Sequence, residues 1–213
     1  INYLNKFGQM TDWNHKSYDP VSELYYTAVR YFKNLGNVAS YSNISGSDAR
    51  KYADGFPVIS SWKDPVQFRC QANVILGIGD VYTHADKNLP GNKTSTAEPD
   101  VPAEVSADET VDVVKALNKI AELEGITLST PFSGRNNSAY IAALAYDSHT
   151  RDIRQDVAGR QTIATHWVDV RENQRLEPKT ANQYWLAAKY GGFRVPRGVG
   201  PYAASEGLEL GRG

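Results

Sequence analysis

Residues 73–91, NVILGIGDVYTHADKNLPG, join the most apolar short run of the chain to its densest cluster of oxygen-bearing side chains. The apolar part, residues 74–78, is nearly continuous rather than alternating, and this pattern predicts a strand covered on both faces within an α/β sheet. Asp80 follows where that strand is predicted to end, and ligands of open α/β sheets bind outside the carboxyl ends of the strands. The stretch therefore predicts a buried strand that leads into a binding loop.

The predicted loop contains three candidate metal ligands. Asp80, Asp86 and Asn88 offer the hard oxygen atoms that Mg²⁺ and Ca²⁺ prefer, although their spacing matches no EF-hand. A second interpretation is a turn whose Asp and Asn side chains bond only their own backbone. The residues alone leave both interpretations open.

Length and charge limit the class of protein. The 213 residues fit one domain, and the 23 basic and 24 acidic residues nearly cancel. Nothing in this balance predicts binding to nucleic acid or to an anionic membrane, and no apolar run approaches the roughly 18 residues of a membrane span. Because the chain begins at Ile1 without a recognisable signal peptide, we expect an internal piece of a longer, processed polypeptide. The single cysteine, Cys70, is either a small buried apolar residue or half of a disulfide whose partner lies elsewhere.

Helical and strand patterns alternate along the chain. Asp19 is a suitable N-cap for a helix over residues 20–35, and the spacing Ser106-x-x-Glu109 predicts the start of a second helix that ends at Gly125. Further patterns predict a helix over residues 138–149, a strand over 161–170 and a helix over 181–190. This alternation predicts an α/β fold, a mainly parallel sheet with helices on both faces. The polar stretch 92–108 is predicted to be a long functional loop.

The chain lacks a convincing catalytic constellation. Asp147 with His149 and His166 with Asp169 could be posed as acid-base pairs, but residues two apart on a helix, or three apart on a strand, do not face each other. No phosphate loop, nucleophile elbow or paired-cysteine metal motif is present in the sequence. A metal-dependent hydrolase using the Asp80 cluster remains the competing class, but it needs a positioned general base that the sequence does not offer.

Five ordered blocks of sequence resemble a known family. They are DPVSELYYTAVRYF, SWKDPVQFRCQANVILGIGDVYTHADKNLPG, YIAALAYDSHTRDIR, QTIATHWVDV and NQYWLAAKYGGF, and they span roughly residues 18–195. These blocks resemble the amino-terminal region of the PilC/PilY family, the tip-associated adhesins of bacterial type IV pili. That region is similar to a von Willebrand factor type A (vWA) domain, so the resemblance implies a partial Rossmann-like vWA-type α/β domain over residues 1–195. Residues 196–213 would then form a linker towards a following domain.

The resemblance also implies a metal site. In a vWA domain the ion is held by an Asp-x-Ser-x-Ser loop, by a Thr before a central helix and by the Asp of a Thr-Asp-Gly turn. Asp80 matches the third position, and Asp19, followed by Pro20, stands at the second. The first loop is absent from the chain and would belong upstream of Ile1. The implied cofactor is Mg²⁺ or Ca²⁺, with Asp80, Asp19, Asp86 and Asn88 as candidate ligands.

The resemblance implies that the domain is a binding module rather than an enzyme. It would act in pilus biogenesis, surface attachment and twitching motility, at the outer cell surface or pilus tip. Its partners would be minor pilins of the tip complex and a ligand on a host or abiotic surface, and Cys70 would be disulfide-bonded, as is common in exported proteins. The alternative within the same fold is a vWA-type binding domain of another secreted system.

Overall fold

A computed structural model describes residues 19–47, 49, 53, 57–93, 100–127, 138–170 and 182–192 of the chain. The described elements, in chain order, are α1 (Val21–Phe32), α2 (Ala39–Ser42), β1 (Asn73–Gly79), α3 (Ala103–Ser106), α4 (Val113–Glu124), α5 (Tyr140–Thr150), β2 (Ile163–Asp169) and α6 (Gln183–Gly192). None of the helices in these ranges is long and apolar enough to cross a bilayer. The predicted linker, residues 196–213, lies outside the described ranges.

β1 and β2 pair in parallel, in register from Asn73 with Ile163 to Gly79 with Asp169. Within the described residues the sheet consists of these two strands. Both predicted strands and the four predicted long helices are present, so the prediction of a mixed α/β chain with a parallel sheet is confirmed.

The two faces of the sheet differ. α5 and α6 pack against β2 on one face, and α1 and α4 pack in turn against α5. α6 comes close because Gly191 has no side chain: a Cβ there would lie 2.7 Å from Cβ of Thr165 and 2.8 Å from Cβ of Ala145. On the other face Leu76 and Ile78 are 63% and 67% exposed. The predictions that helices cover both faces, and that β1 is buried on both, are therefore wrong for the described part of the chain.

The core between helices and sheet is rich in tyrosine, and several of the hydroxyl groups inside it have partners. Tyr25 shares a hydrogen bond of 2.6 Å with Oγ1 of Thr165, and Tyr190 donates to Glu124. Burial raises the pKa of Tyr25 to about 12, so its hydroxyl is neutral at physiological pH. Such pairing avoids the free-energy cost of an unsatisfied buried hydroxyl and fixes how α1 lies over β2.

Two predicted helix starts were wrong in detail. Asp19 does not cap α1: the N-cap residue is Pro20, and no side chain of that residue bonds the helix. α4 begins at Val113, not near Ser106, because Oδ1 of Asp112 accepts the backbone N–H of Lys115 at 2.9 Å. The predicted end of α4 is confirmed, since Gly125 adopts the left-handed conformation (φ 64°) that favours glycine.

The prediction of a long loop over residues 92–108 is wrong for its last part. Residues 100–108 contain the short helix α3, in which Val105 is completely buried. Asp108 accepts a hydrogen bond of 2.6 Å from the hydroxyl of Tyr26 and lies 3.7 Å from Nη1 of Arg30. This half of the loop is thereby fastened to α1, while residues 94–99 lie outside the described ranges.

The segment before β1 is held by Arg154, whose side chain is 3% exposed. Its guanidinium donates to both carboxylate oxygens of Asp64, at 2.7 and 2.8 Å, and also to Asp156. The hydrogen bonds from Arg154 lower the pKa of Asp64. Cys70, in the same segment, is exposed, so the alternative of a buried apolar cysteine is wrong, and its disulfide remains a prediction.

Candidate functional site

The candidate loop, residues 80–92, begins at the carboxyl end of β1. Its last residues lie next to the amino end of α4, which starts later in the sequence, at Val113. Near its start, Nε2 of Gln183 donates to the carbonyl of Val81 at 2.7 Å. Near its end, Val113 N–H donates to the carbonyl of Pro90 at 3.0 Å. Gly91 lies so close to Asp112 that an added Cβ would meet the Asp112 side chain at 2.6 Å, so this position requires glycine. Contacts to α6 and α4 therefore fix both ends of the loop.

Asp86 lies at the centre of the loop and is completely buried. One carboxylate oxygen, Oδ1, accepts the backbone N–H of Ser22. The other, Oδ2, accepts the hydroxyls of Ser22 at 2.8 Å and Thr83 at 3.0 Å. The hydroxyl of Ser138 donates to the Asp86 carbonyl at 2.9 Å and lies 3.4 Å from Oδ2. Asp86 thus connects the loop to the amino ends of α1 and α5.

Through these contacts Asp86 bonds the first turn of α1, which is the capping role that the sequence predicts for Asp19. The first turn of α1 has unpaired N–H groups, which Pro20 cannot satisfy, and a carboxylate there interacts favourably with the helix dipole. The contact is reciprocal, because Oε1 of Glu23 in α1 accepts the N–H of Asn88 at 3.0 Å. Ala85, a non-glycine residue at φ 52°, turns the chain immediately before Asp86. The loop therefore accepts local backbone strain at the point where Asp86 turns inward.

Asp80 and Asp19 have more open surroundings. Oδ1 of Asp80 accepts the N–H of Tyr82 at 2.9 Å, a local turn of the kind the second sequence interpretation predicts. Oδ1 of Asp19 lies 2.5 Å from Nδ1 of His84, and both side chains are about two-fifths exposed. The Asp19 carbonyl also accepts the N–H of His84 at 3.3 Å. Asp19 therefore fastens the loop from the solvent side rather than capping the helix.

The hydroxyl of Tyr184 faces the acidic end of the sheet. A Cβ on Gly79 would lie 3.6 Å from this oxygen. Burial raises the pKa of Tyr184, and the negative charges of Asp86, Asp19, Asp80 and Asp169 raise it further. Tyr184 stacks on the indole of Trp167 with ring centroids 4.1 Å apart. The ends of β1 and β2 thus carry several carboxylates around one buried phenol.

Three buried polar atoms, one of them in this phenol, have no hydrogen-bond partner among the described residues. They are the Tyr184 hydroxyl, Nε1 of Trp167 and Oε1 of Gln183. Buried polar groups are normally paired with protein, water or ligand, so this region has unused hydrogen-bonding capacity.

The predicted metal ligands would supply only part of the coordination of a cation. The carboxylate oxygens of Asp86 already accept protein donors, and Asn88 contacts Glu23 through its backbone. Across the described ranges, no group of three or more His, Cys, Asp or Glu side chains is arranged to hold a metal ion. Asp80 suits a hard cation only if further ligands come from elsewhere. The metal site stays a prediction.

The acids of the two posed acid-base pairs bond other residues. Asp147 lies 3.0 Å from Arg151 and 3.7 Å from Lys33, whereas Nδ1 of His149 bonds the carbonyl of Ile163 at 2.9 Å. Burial lowers the pKa of Lys33, and Asp147 opposes this shift. In the other pair, Oδ2 of Asp169 accepts the side-chain N–H of Asn182 at 2.7 Å. Each of these acids therefore has a structural partner.

Sequence reasoning missed the hydroxyl residues around Asp86. Ser22 and Ser138 are separated from it by 64 and 52 residues. Because a serine near a helix start is common, no sequence signal shows that both serve the same carboxylate.

Comparisons with known proteins agree with the five blocks. Residues 3–151 match the family model described as PilY1 homolog, second domain. The chain is also 55% identical over 218 residues to a type IV pilus biogenesis factor PilY1 homolog from Xylella fastidiosa, a match that covers 94% of this chain and 18% of that relative. No solved structure matches the chain. The chain therefore belongs to the PilY1 homolog family and represents less than a fifth of the length of the curated relative that it matches.

Proposed function

We propose that this chain is a ligand-binding domain of a type IV pilus biogenesis factor and acts in surface attachment and twitching motility. The observation that carries the proposal is the match to the PilY1 homolog described above, at 55% identity over nearly the whole chain. In this proposal the domain works with minor pilins at the pilus tip, outside the cell, and holds a ligand on a host or abiotic surface rather than transforming it.

The proposed binding site is the carboxyl end of the sheet. Asp80 follows β1 and is half-buried, and two buried oxygen atoms of α6, the Tyr184 hydroxyl and Oε1 of Gln183, lack partners among the described residues. Sheets of this class bind ligands at this end. We propose that Asp80, with Asp19 nearby, contributes to a Mg²⁺ or Ca²⁺ site of vWA type, and that its remaining ligands belong to parts of the polypeptide outside residues 1–213.

The test uses chromosomal variants of the full-length protein in its own bacterium. A strain lacking the protein, an Asp80→Ala strain and a Glu109→Ala strain are compared with the parent. Glu109 is exposed and lies outside the loop, so it is a matched acid-to-alanine control. Surface pilin, attachment to glass and the diameter of the twitching zone are measured, and immunoblotting verifies the amount of each variant.

The null strain should lose surface pili and twitching. Asp80→Ala should keep the pili but attach poorly, and Glu109→Ala should behave like the parent. A null strain with parental pili and twitching would refute the role in the pilus. Parental attachment of Asp80→Ala, with the null strain defective, would refute the binding site but leave the pilus role standing.

A further inference from the structure

The outer face of the β1–β2 sheet carries an exposed aliphatic patch. Successive strand residues point to opposite faces, so residues 74, 76 and 78 of β1 share a face, and their parallel partners 164, 166 and 168 of β2 lie on the same side. Val74, Leu76, Ile78 and Val168 are between 49% and 67% exposed. On the inner face, by contrast, Ile163 and Thr165 are completely buried.

This exposure is unusual for a parallel sheet. Parallel strands are normally covered on both faces, and the nearly continuous apolar sequence of β1 is typical of a strand buried in that way. The outer face therefore has the composition of an interior surface, and something apolar should cover it.

The chemistry and size of the patch limit the occupant. Its titratable side chain is that of His166 and it carries no carboxylate or lysine, so it suits an apolar partner rather than a charged surface. Seven residues per strand give the patch a flat footprint of about 23 Å by 10 Å, roughly 230 Å², and the relief of its side chains makes its accessible surface larger than this but still below that of a standard interface. A stable dimer needs about 800 Å² per partner, which argues against a second copy. A segment of the same chain needs far less area, because its effective concentration is high.

We propose that the outer face of the β1–β2 sheet, defined by Val74, Leu76, Ile78, Ala164, His166 and Val168, is an intramolecular interface. Its occupant is an apolar segment of the same polypeptide outside residues 1–213. The relative from Xylella fastidiosa has more than four-fifths of its length outside the matched region, so a polypeptide of this family contains ample chain to supply such a segment. This inference does not depend on the ligand or the ion of the proposed function.

Site-specific photo-cross-linking of the full-length protein tests the proposal. The photoreactive residue p-benzoyl-phenylalanine replaces Leu76 in one variant, Ile78 in a second and Ile59 in a control. Ile59 is 68% exposed, close to the 63% of Leu76, but lies outside the sheet. Size-exclusion chromatography and thermal melting select variants that remain folded. After irradiation, the mass of each product and the linked peptide are identified by mass spectrometry.

We expect the Leu76 and Ile78 variants to give a cross-link within the monomer to a peptide outside residues 1–213, and the Ile59 variant to give none. A product of twice the monomer mass would overturn the proposal in favour of a second copy. A link to another protein, or to a peptide within residues 1–213, would overturn it in favour of that occupant. Cross-linking no stronger than at Ile59 would show that the face is open.

Discussion

The loop after β1 carries two aspartates with different surroundings. Asp86 is completely buried and accepts hydrogen bonds from α1, from its own loop and from the start of α5, whereas Asp80 is half-buried and accepts one bond from Tyr82. In the sequence both are acidic residues of one polar cluster. In the structure, Asp86 is buried and accepts several hydrogen bonds, so it stabilises the fold. Asp80 is more open and accepts the Tyr82 N–H, so its carboxylate can still bind a ligand. The stability of four variants tests this distinction.

Asp86→Ala should have the largest effect. The substitution removes the acceptor of the Ser22 and Thr83 hydroxyls and of the Ser22 N–H, all in a buried place. Because each unsatisfied buried donor costs about 1 to 3 kcal/mol, the free energy of unfolding should fall by about 3 kcal/mol or more. Urea denaturation followed by tryptophan fluorescence measures the loss. Glu109→Ala is the control, and a loss below about 1 kcal/mol would place Asp86 among the dispensable loop residues.

Ser138→Ala should cost less, because it removes one donor and leaves the carboxylate bonded to α1. The Ser138 hydroxyl also accepts the N–H of Tyr140 at 3.3 Å, so α5 loses a contact at its first turn. The free energy of unfolding should fall by about 1 to 2 kcal/mol.

A double-mutant cycle sharpens this second prediction. When Asp86 is already alanine, Ser138→Ala should cost nearly as much, because the hydroxyl keeps its bond of 2.9 Å to the backbone carbonyl of residue 86 and has lost only the contact of 3.4 Å with Oδ2. Nearly additive losses in the double variant are therefore expected, and a much smaller cost of Ser138→Ala in that background would mean that Ser138 acts mainly through the Asp86 carboxylate.

Much of the scaffold could be predicted from sequence, since its signals are local. Helical periodicity marks α1 and α4, a run of good helix formers marks α5, and nearly continuous β-branched or large apolar residues mark β1. The partners of Asp86 could not be predicted in this way. Asp19-Pro20 is a correct signal that a helix starts, but tertiary contact brings in a carboxylate 64 residues away to satisfy the first turn. The sequence therefore assigns the cap of α1 to Asp19, whereas Asp86 bonds its first turn, and the cation site at the end of β1 stays a prediction.

The exposed face of β1 was missed for a related reason. A continuous apolar run predicts cover on both sides, but the sequence of residues 73–79 does not say which segment provides it. The predicted partner helices, α5 and α6, both pack on the same side.

Asp19→Ala should have a small effect on stability. Its carboxylate pairs with His84, but both side chains are about two-fifths exposed, and exposed pairs contribute about 0 to 1 kcal/mol. The free energy of unfolding should fall by about 0.5 kcal/mol or less. If Asp19→Ala destabilised as strongly as Asp86→Ala, Asp19 would share the anchoring role. The difference between the buried Asp86 and the more open aspartates would then not decide stability.

Asp80→Ala should change stability least and binding most. The variant loses the hydrogen bond to the Tyr82 N–H in a half-buried turn, so the free energy of unfolding should change by less than about 0.5 kcal/mol. In the full-length protein, isothermal calorimetry with Mg²⁺ and with Ca²⁺ should show cation binding for the parent and for Glu109→Ala, and a large loss of affinity for Asp80→Ala. The reason is charge: removing one carboxylate from a site built of oxygen ligands removes part of the charge that holds the ion. A variant that keeps both its stability and its cation affinity would leave Asp80 as a turn residue. A variant that loses stability as Asp86→Ala does would make Asp80 a second anchor, and its loss of binding would then report only on folding.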